Sequence, residues 1–110
     1  MNQTSRKLLK GSLDIILLAL LETEPMYGYQ MVKEVRARSD SALQLKEGSL
    51  YPALHRLERA GLIEGYWQHR EDGASRRYYR LTSQGRAVLP EKREEWRQFI
   101  TAIQGVLRYG

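Results

Sequence analysis

The sequence predicts a mainly α chain carrying one small β-hairpin, and three observations lead there. Apolar residues recur at helical spacing in three short segments before residue 61, and over a much longer stretch after residue 82. Between Ile63 and Thr82 the period switches to two, in runs rich in Ile, Tyr, Trp and Leu. Asp72-Gly73 stands inside that interval, and glycine accepts the positive φ that a tight hairpin turn requires.

A first helix is expected from Leu8 or Ser12 to Glu22, with Leu9, Leu13, Ile16, Leu17 and Leu20 on one stripe. Glu24-Pro25 ends it, because the residue before a proline avoids the α region. A second helix spans Gly28 to Arg38, turning Met31, Val32 and Val35 inward, and Ser39, Asp40 and Ser41 break it. Leu43 and Leu45 alternate with polar neighbours and predict a very short strand. The third helix runs from Gly48 to Ala60, with Leu50, Leu54 and Leu57 facing a core and Gly61 as its cap. Pro52 falls in or next to its first turn, where a missing N–H does least harm. Strands are expected at Ile63–His69 and Arg77–Thr82, with Tyr79 and Trp67 directed to the core. The last helix begins near Thr82 or Ser83 and continues to Arg108. Its apolar positions Trp96/Ile103, Phe99/Val106 and Ile100/Leu107 are each seven apart, the spacing of a helix that packs lengthwise on another. Pro90 predicts a kink or a restart within it. Three helices followed by a hairpin form a winged helix-turn-helix. The expected division is residues 1–82 as a winged-helix DNA-binding domain and residues 83–110 as a C-terminal dimerisation helix.

Composition agrees with a small soluble globular domain. A chain of 110 residues supports one core, burying roughly 65% of its unfolded surface. The absence of Cys excludes disulfides, thiolate metal sites and cysteine nucleophiles, and suits a cytoplasmic location. The longest apolar run, Leu13 to Leu21, is interrupted by Asp14 and too short to span a bilayer, and no small-residue cleavage site follows it. No membrane role is expected. Net charge is +5, and between Gly73 and Pro90 the charged residues are Arg76, Arg77, Arg80 and Arg86, with no acid among them. A local basic stripe suits a polyanion better than a global sum does. Enzyme chemistry finds no support: the only histidines are His55 and His69, no HExxH or glycine-rich phosphate loop occurs, and Ser12, Ser49 and Ser75 lack an identifiable base. No metal or cofactor is expected.

The B-DNA major groove admits an α-helix and presents a distinct donor–acceptor pattern for every base pair. The outward residues of the third helix are Ser49, Tyr51, Pro52, His55, Arg56 and Arg59, and Arg56 could pair with a guanine or clamp a phosphate. The hairpin carries Arg70, Ser75, Arg76 and Arg77, suited to a phosphate or a narrow minor groove. Such charges also protect a strand edge from aggregation. Of the two tyrosines opening the second helix, Tyr27 is assigned to a phosphate and Tyr29 to the core. Leu9, Leu13, Trp96, Phe99, Ile100, Ile103 and Leu107 make an apolar surface that a second copy would cover.

These motifs resemble the PadR family of transcriptional regulators over nearly the whole chain. The resemblance rests on Leu9-Lys10-Gly11-Ser12-Leu13, on Met26-Tyr27-Gly28-Tyr29, and on the run from Glu47 through Gly48-Ser49-Leu50-Tyr51-Pro52 to Leu62-Ile63. It continues in Gly73-Ala74-Ser75-Arg76-Arg77-Tyr78-Tyr79-Arg80-Leu81-Thr82 and in Gly85-Arg86. Ala74 departs from the usual proline or glycine, and Pro90 interrupts the last helix. The single helix after the wing places the chain with the family's short-tailed subgroup. The resemblance implies a homodimeric repressor on a pseudo-palindromic operator, released by a small aromatic or lipophilic effector at the dimer interface. There a tryptophan such as Trp96 lines a cavity, or serves the dimer alone. The alternative is a winged-helix protein-interaction module without sequence-specific DNA binding.

Overall fold

A computed structural model describes residues 12–109 of the chain. Its elements are α1 (Leu13–Thr23), β1 (Met26–Tyr27), α2 (Gly28–Arg38), α3 (Glu47–Arg59), β2 (Ile63–His69), β3 (Ser75–Leu81) and α4 (Ser83–Tyr109). Leu8 and Leu9 lie outside the described residues.

Helix α1 is apolar on nearly every side, and such a helix belongs at the centre of a core. Leu13, Leu17, Leu18, Leu20 and Leu21 are all buried. Around it pack Met31 and Val35 of α2, Leu50, Ala53, Leu54 and Leu57 of α3, Ile63 and Tyr79 of the sheet, and Leu89 of α4. Each fully buried leucine contributes on the order of 2 kcal/mol through water release. This cluster sets the position of α3, whose opposite face is thereby left to solvent.

Helix ends follow from local chemistry. At the end of α3, Gly61 takes φ +78°, the Leu62 N–H donates to the Leu57 carbonyl, and the Gly61 N–H to that of Glu58. This is a Schellman cap, and the left-handed residue in it favours glycine. Helix α2 closes in the same pattern on Asp40, at φ 53°, with Ser41 N–H donating to the Arg36 carbonyl. Aspartate tolerates this region better than most residues. For α4, the Thr82 hydroxyl receives the Gly85 N–H at 3.0 Å and donates to the Gly61 carbonyl at 2.6 Å, tying the helix start to the end of α3.

The sheet is antiparallel with strand order β1-β3-β2. Met26 pairs with Tyr79 and Tyr27 with Tyr78, while β2 runs beside β3 from Ile63↔Leu81 to His69↔Ser75. The hairpin is therefore extended by a third strand of two residues. The sequence expectation puts a short strand at Leu43–Leu45, and this is corrected. That segment forms no strand; Leu45 is buried and Leu43 packs against the core, so the alternation records burial of an irregular connection. Trp67 is also corrected, being 63% exposed on the outer strand. Helix α4 runs without restart through Pro90, which sits on its exposed side. Proline there supplies no N–H to the carbonyl one turn before it.

Candidate nucleic-acid interface

Burial of Leu50, Ala53, Leu54 and Leu57 leaves Tyr51, Pro52, His55, Arg56 and Arg59 exposed on α3, with Ser49 half-buried. At 100° per residue, Pro52, His55 and Arg59 lie opposite the buried stripe, while Tyr51 and Arg56 occupy its two flanks. The flanks differ. On one, Arg56 Nη2 lies 2.6 Å from Asp14 Oδ1 of α1. On the other, the Tyr51 ring extends across the start of α2, where a Cβ on Gly28 would stand 2.6 Å from its hydroxyl oxygen. Only glycine at position 28 lets that tyrosine lie there.

Next to Tyr51 is a notch formed by Tyr27, Gly28, Tyr29, Arg76 and Arg77. The Arg76 guanidinium stacks over Tyr27 at 4.4 Å from the ring centre, and Tyr27 meets Tyr78 edge-on at 5.4 Å. Stacking of this kind orients a guanidinium while leaving its N–H edges free to donate. Tyr29, assigned to the core from the sequence, is 60% exposed and lies beneath the Lys33 ammonium at 5.5 Å. One turn of α2 thus brings a further cation beside Tyr29, at the edge of the notch that Arg76 and Arg77 line.

The wing tip is a tight loop. Gly73 has φ +86°, and Asp72 Oδ1 accepts the Ala74 N–H at 2.9 Å. That backbone hydrogen bond, helped by Arg70 and Arg76, holds the Asp72 carboxyl below its usual range. Arg70 stands 3.6 Å from Asp72, and Ser75 Oγ is 2.8 Å from His69 Nδ1. Arg77 is placed differently from Arg76. It turns inward, with Nη2 3.2 Å from Glu58 Oε2 of α3, beside the buried phenol of Tyr79, which burial pushes up in pKa.

The apolar residues of α4 collect elsewhere. Leu13 is already buried within one chain at 3% exposure. Trp96, Phe99, Ile103 and Leu107 are exposed and Ile100 is half-buried, with the Trp96 and Phe99 rings 5.9 Å apart. Trp96 and Phe99 also line an open hollow of about 410 Å³, together with Asp14, Arg56, Lys92 and Glu95. Arg56 therefore reaches this hollow from the exposed helix α3. Among the described residues, no three His, Asp or Glu side chains gather as a metal site, and no helix is long and apolar enough to cross a membrane.

Asp14, Gly28, Glu58 and Gly65 escape a reading of the sequence as an interface. A glycine inside a strand is a signal of close backbone approach, and it could have marked Gly65.

The sequence profile of the Transcriptional regulator PadR-like family matches residues 17–91. The chain is 40% identical over 89 residues to an uncharacterised protein of Lysinibacillus sphaericus, covering 81% of this chain and 82% of that one. It is 42% identical over 62 residues to a transcriptional regulator of Mycobacterium tuberculosis, covering 56% of this chain and 57% of the other. Among solved structures, a transcriptional regulator from Clostridium thermocellum superposes with a TM-score of 0.81 at 34% identity, over 90% of this chain and 96% of that one. A PadR family transcription regulator from Clostridium difficile gives 0.76 at 38% identity, over 87% and 98%.

Proposed function

This chain belongs to the PadR-like family of transcriptional regulators, and we propose that it acts as a homodimeric, sequence-specific DNA-binding repressor in the cytoplasm. The observation that carries the reading is the division of α3, with Leu50, Leu54 and Leu57 sealed into the core while Tyr51, Pro52, His55 and Arg59 stand exposed. A helix packed from behind and polar in front is rigid enough to enter a major groove and read base edges. Tyr27 and Arg76 beside it, with Arg70 and Ser75 on the wing, would hold phosphates, which set register and affinity. Two copies paired through the C-terminal segment, residues 83–110, would present α3 to successive major grooves about 34 Å apart. The exposed apolar face of Trp96, Phe99, Ile103 and Leu107 supports that pairing.

Selection of bound duplexes from a random pool tests the reading, and an enriched pseudo-palindrome is the expected result. A pool that never rises above competitor DNA would leave only a protein-interaction module. Arg76→Ala should weaken binding to all sequences and flatten the dependence of log K on log salt by about 0.9 for each phosphate no longer neutralised. An unchanged slope would remove Arg76 from the backbone.

Release by a small aromatic or lipophilic effector is an extension of this reading that rests on the Trp96 and Phe99 rings alone, since Asp14, Arg56, Lys92 and Glu95 line the same hollow. Such a ligand shifts the protein only if it prefers dimers whose reading heads are wrongly spaced. Titration of aromatic compounds against protein and protein–operator complex checks this: tight binding with no change in operator affinity rules effector release out.

A further inference from the structure

The wing joins the rest of the chain near Gly65, at the middle of the outer strand β2. There one carboxylate oxygen, Glu58 Oε2 in the last turn of α3, accepts two hydrogen bonds. The Gly65 N–H donates to it at 3.1 Å and Arg77 Nη2 at 3.2 Å. The guanidinium lies flat across the glycine: a Cβ at position 65 would stand 2.7 to 2.8 Å from Arg77 Nη2, Cζ and Nε. The rings of Trp67 and Tyr79 flank the guanidinium, with their centres 5.8 and 5.9 Å from Arg77 Cζ. Three groups from α3, β2 and β3 thus meet at one point, and each depends on the other two.

We propose that Glu58, Gly65 and Arg77 form a clasp fixing the angle between the reading helix and the wing, so that Arg77 is a positioning residue. The inference rests on the DNA-binding reading above and gives Arg77, which the sequence offers as a phosphate contact, the task of supporting Arg70 and Arg76. Leverage makes the clasp matter. From Gly65 the strand extends roughly 13 Å at ~3.3 Å per residue to its end at His69, where the wing loop begins. A tilt of about 10° at the clasp would move that end by roughly 2 Å and the loop beyond it by more, past what a hydrogen bond tolerates. The orientation of the wing therefore depends on a contact made in the last turn of the helix that reads the bases. A carboxylate beside the DNA face would otherwise repel phosphate; with Arg77 on it, that charge is balanced.

The experiment compares a selected operator duplex long enough to lie beneath both wings with the same duplex trimmed at both ends. The affinity ratio isolates the wings. Glu58→Gln keeps a carbonyl for the Gly65 N–H but removes the charge on which Arg77 rests, and Gly65→Ala evicts the guanidinium. Both should cut the ratio by about tenfold, the loss expected of one or two charge-assisted hydrogen bonds to phosphate, while trimmed-duplex affinity and melting temperature stay near wild type. If Glu58→Gln keeps or raises the ratio, Arg77 touches DNA directly and the proposal is overturned. Equal losses on both duplexes would overturn it too, as a general structural effect. A DNA-free measurement separates this inference from the functional reading. Residual dipolar couplings of the wing amides should report a changed or averaged orientation in Glu58→Gln, and an unchanged orientation rejects the clasp whether or not the protein binds any duplex.

Discussion

The winged head and the outer half of α4 use the same apolar residue types and treat them in opposite ways. In the head, Leu17, Leu18, Leu50 and Leu54 are sealed by elements distant in sequence. Beyond Leu89, the last apolar residue of α4 in the core, the helix carries Trp96, Phe99, Ile103, Val106 and Leu107 into solvent, Leu107 at 73% exposure. The periodic pattern is equally strong in α3 and in α4. What differs is the supply of neighbours: the head folds back on itself through turns at Glu24-Pro25, Ser39–Ser41 and Gly61, whereas α4 runs for 27 residues without a turn. A helical stripe announces that a face will be covered and says nothing about whose atoms will cover it.

The largest test of this contrast is a truncation in each region. Leu54→Ala should cost about 2–5 kcal/mol in chemical denaturation, since its 1% exposure means that a cavity remains. Leu107→Ala should cost well under about 1 kcal/mol in the dilute chain, and equal losses would break the comparison. Next comes the joint. A Cβ at Gly85 would collide with the Leu62 carbonyl oxygen, so Gly85→Ala should cost on the order of 1–3 kcal/mol through displacement of α4, read as a lower melting temperature. Trp96→Ala combined with Ile103→Ala should change assembly more than monomer stability. Sedimentation should give monomers, and the concentration dependence of the melting temperature should vanish; intact dimers would put the interface elsewhere.

The smallest effect concerns the ion pair bracing α4 on α1, where Arg93 contacts Glu22 at 2.7 and 3.0 Å. Hydrogen bonding from Arg93 holds the Glu22 carboxyl below its usual value. A carboxyl depressed in the folded state adds stability above its unfolded pKa and loses it as the pH falls through the folded one. Both groups are exposed, so the contribution is small. Glu22→Gln should melt slightly below wild type at neutral pH and level with it in acid. A gap that persists at low pH would mean that the residue packs rather than pairs.

Pattern alone bounds α2 at Gly28–Arg38 and β2 at Ile63–His69, the limits found. It also marks Gly61 and Gly73, because cap and turn geometry are settled within a few residues. The third strand is not legible in the sequence, since two residues carry no period and Met26 pairs with Tyr79 far along the chain. Exposed aromatics mislead for a related reason: Trp67 shares the sheet face of the buried Ile63, Tyr79 and Leu81 but lies farther out along the hairpin, past the reach of the core. At the interface, sequence alone separates the inward leucines of α3 from its outward polar residues. It does not separate Arg76 from Arg77.

Helices, strands, turns and the two faces of α3 follow from the order of residues, because they depend on side-chain spacing and on φ preferences acting over one or two turns. Which charged groups are already engaged follows only from the packed fold. Arg56 finds Asp14 across 42 positions and Arg77 finds Glu58 across 19. Long flexible side chains take the nearest opposite charge in space, and which charge is nearest is set only when the helices and the sheet pack.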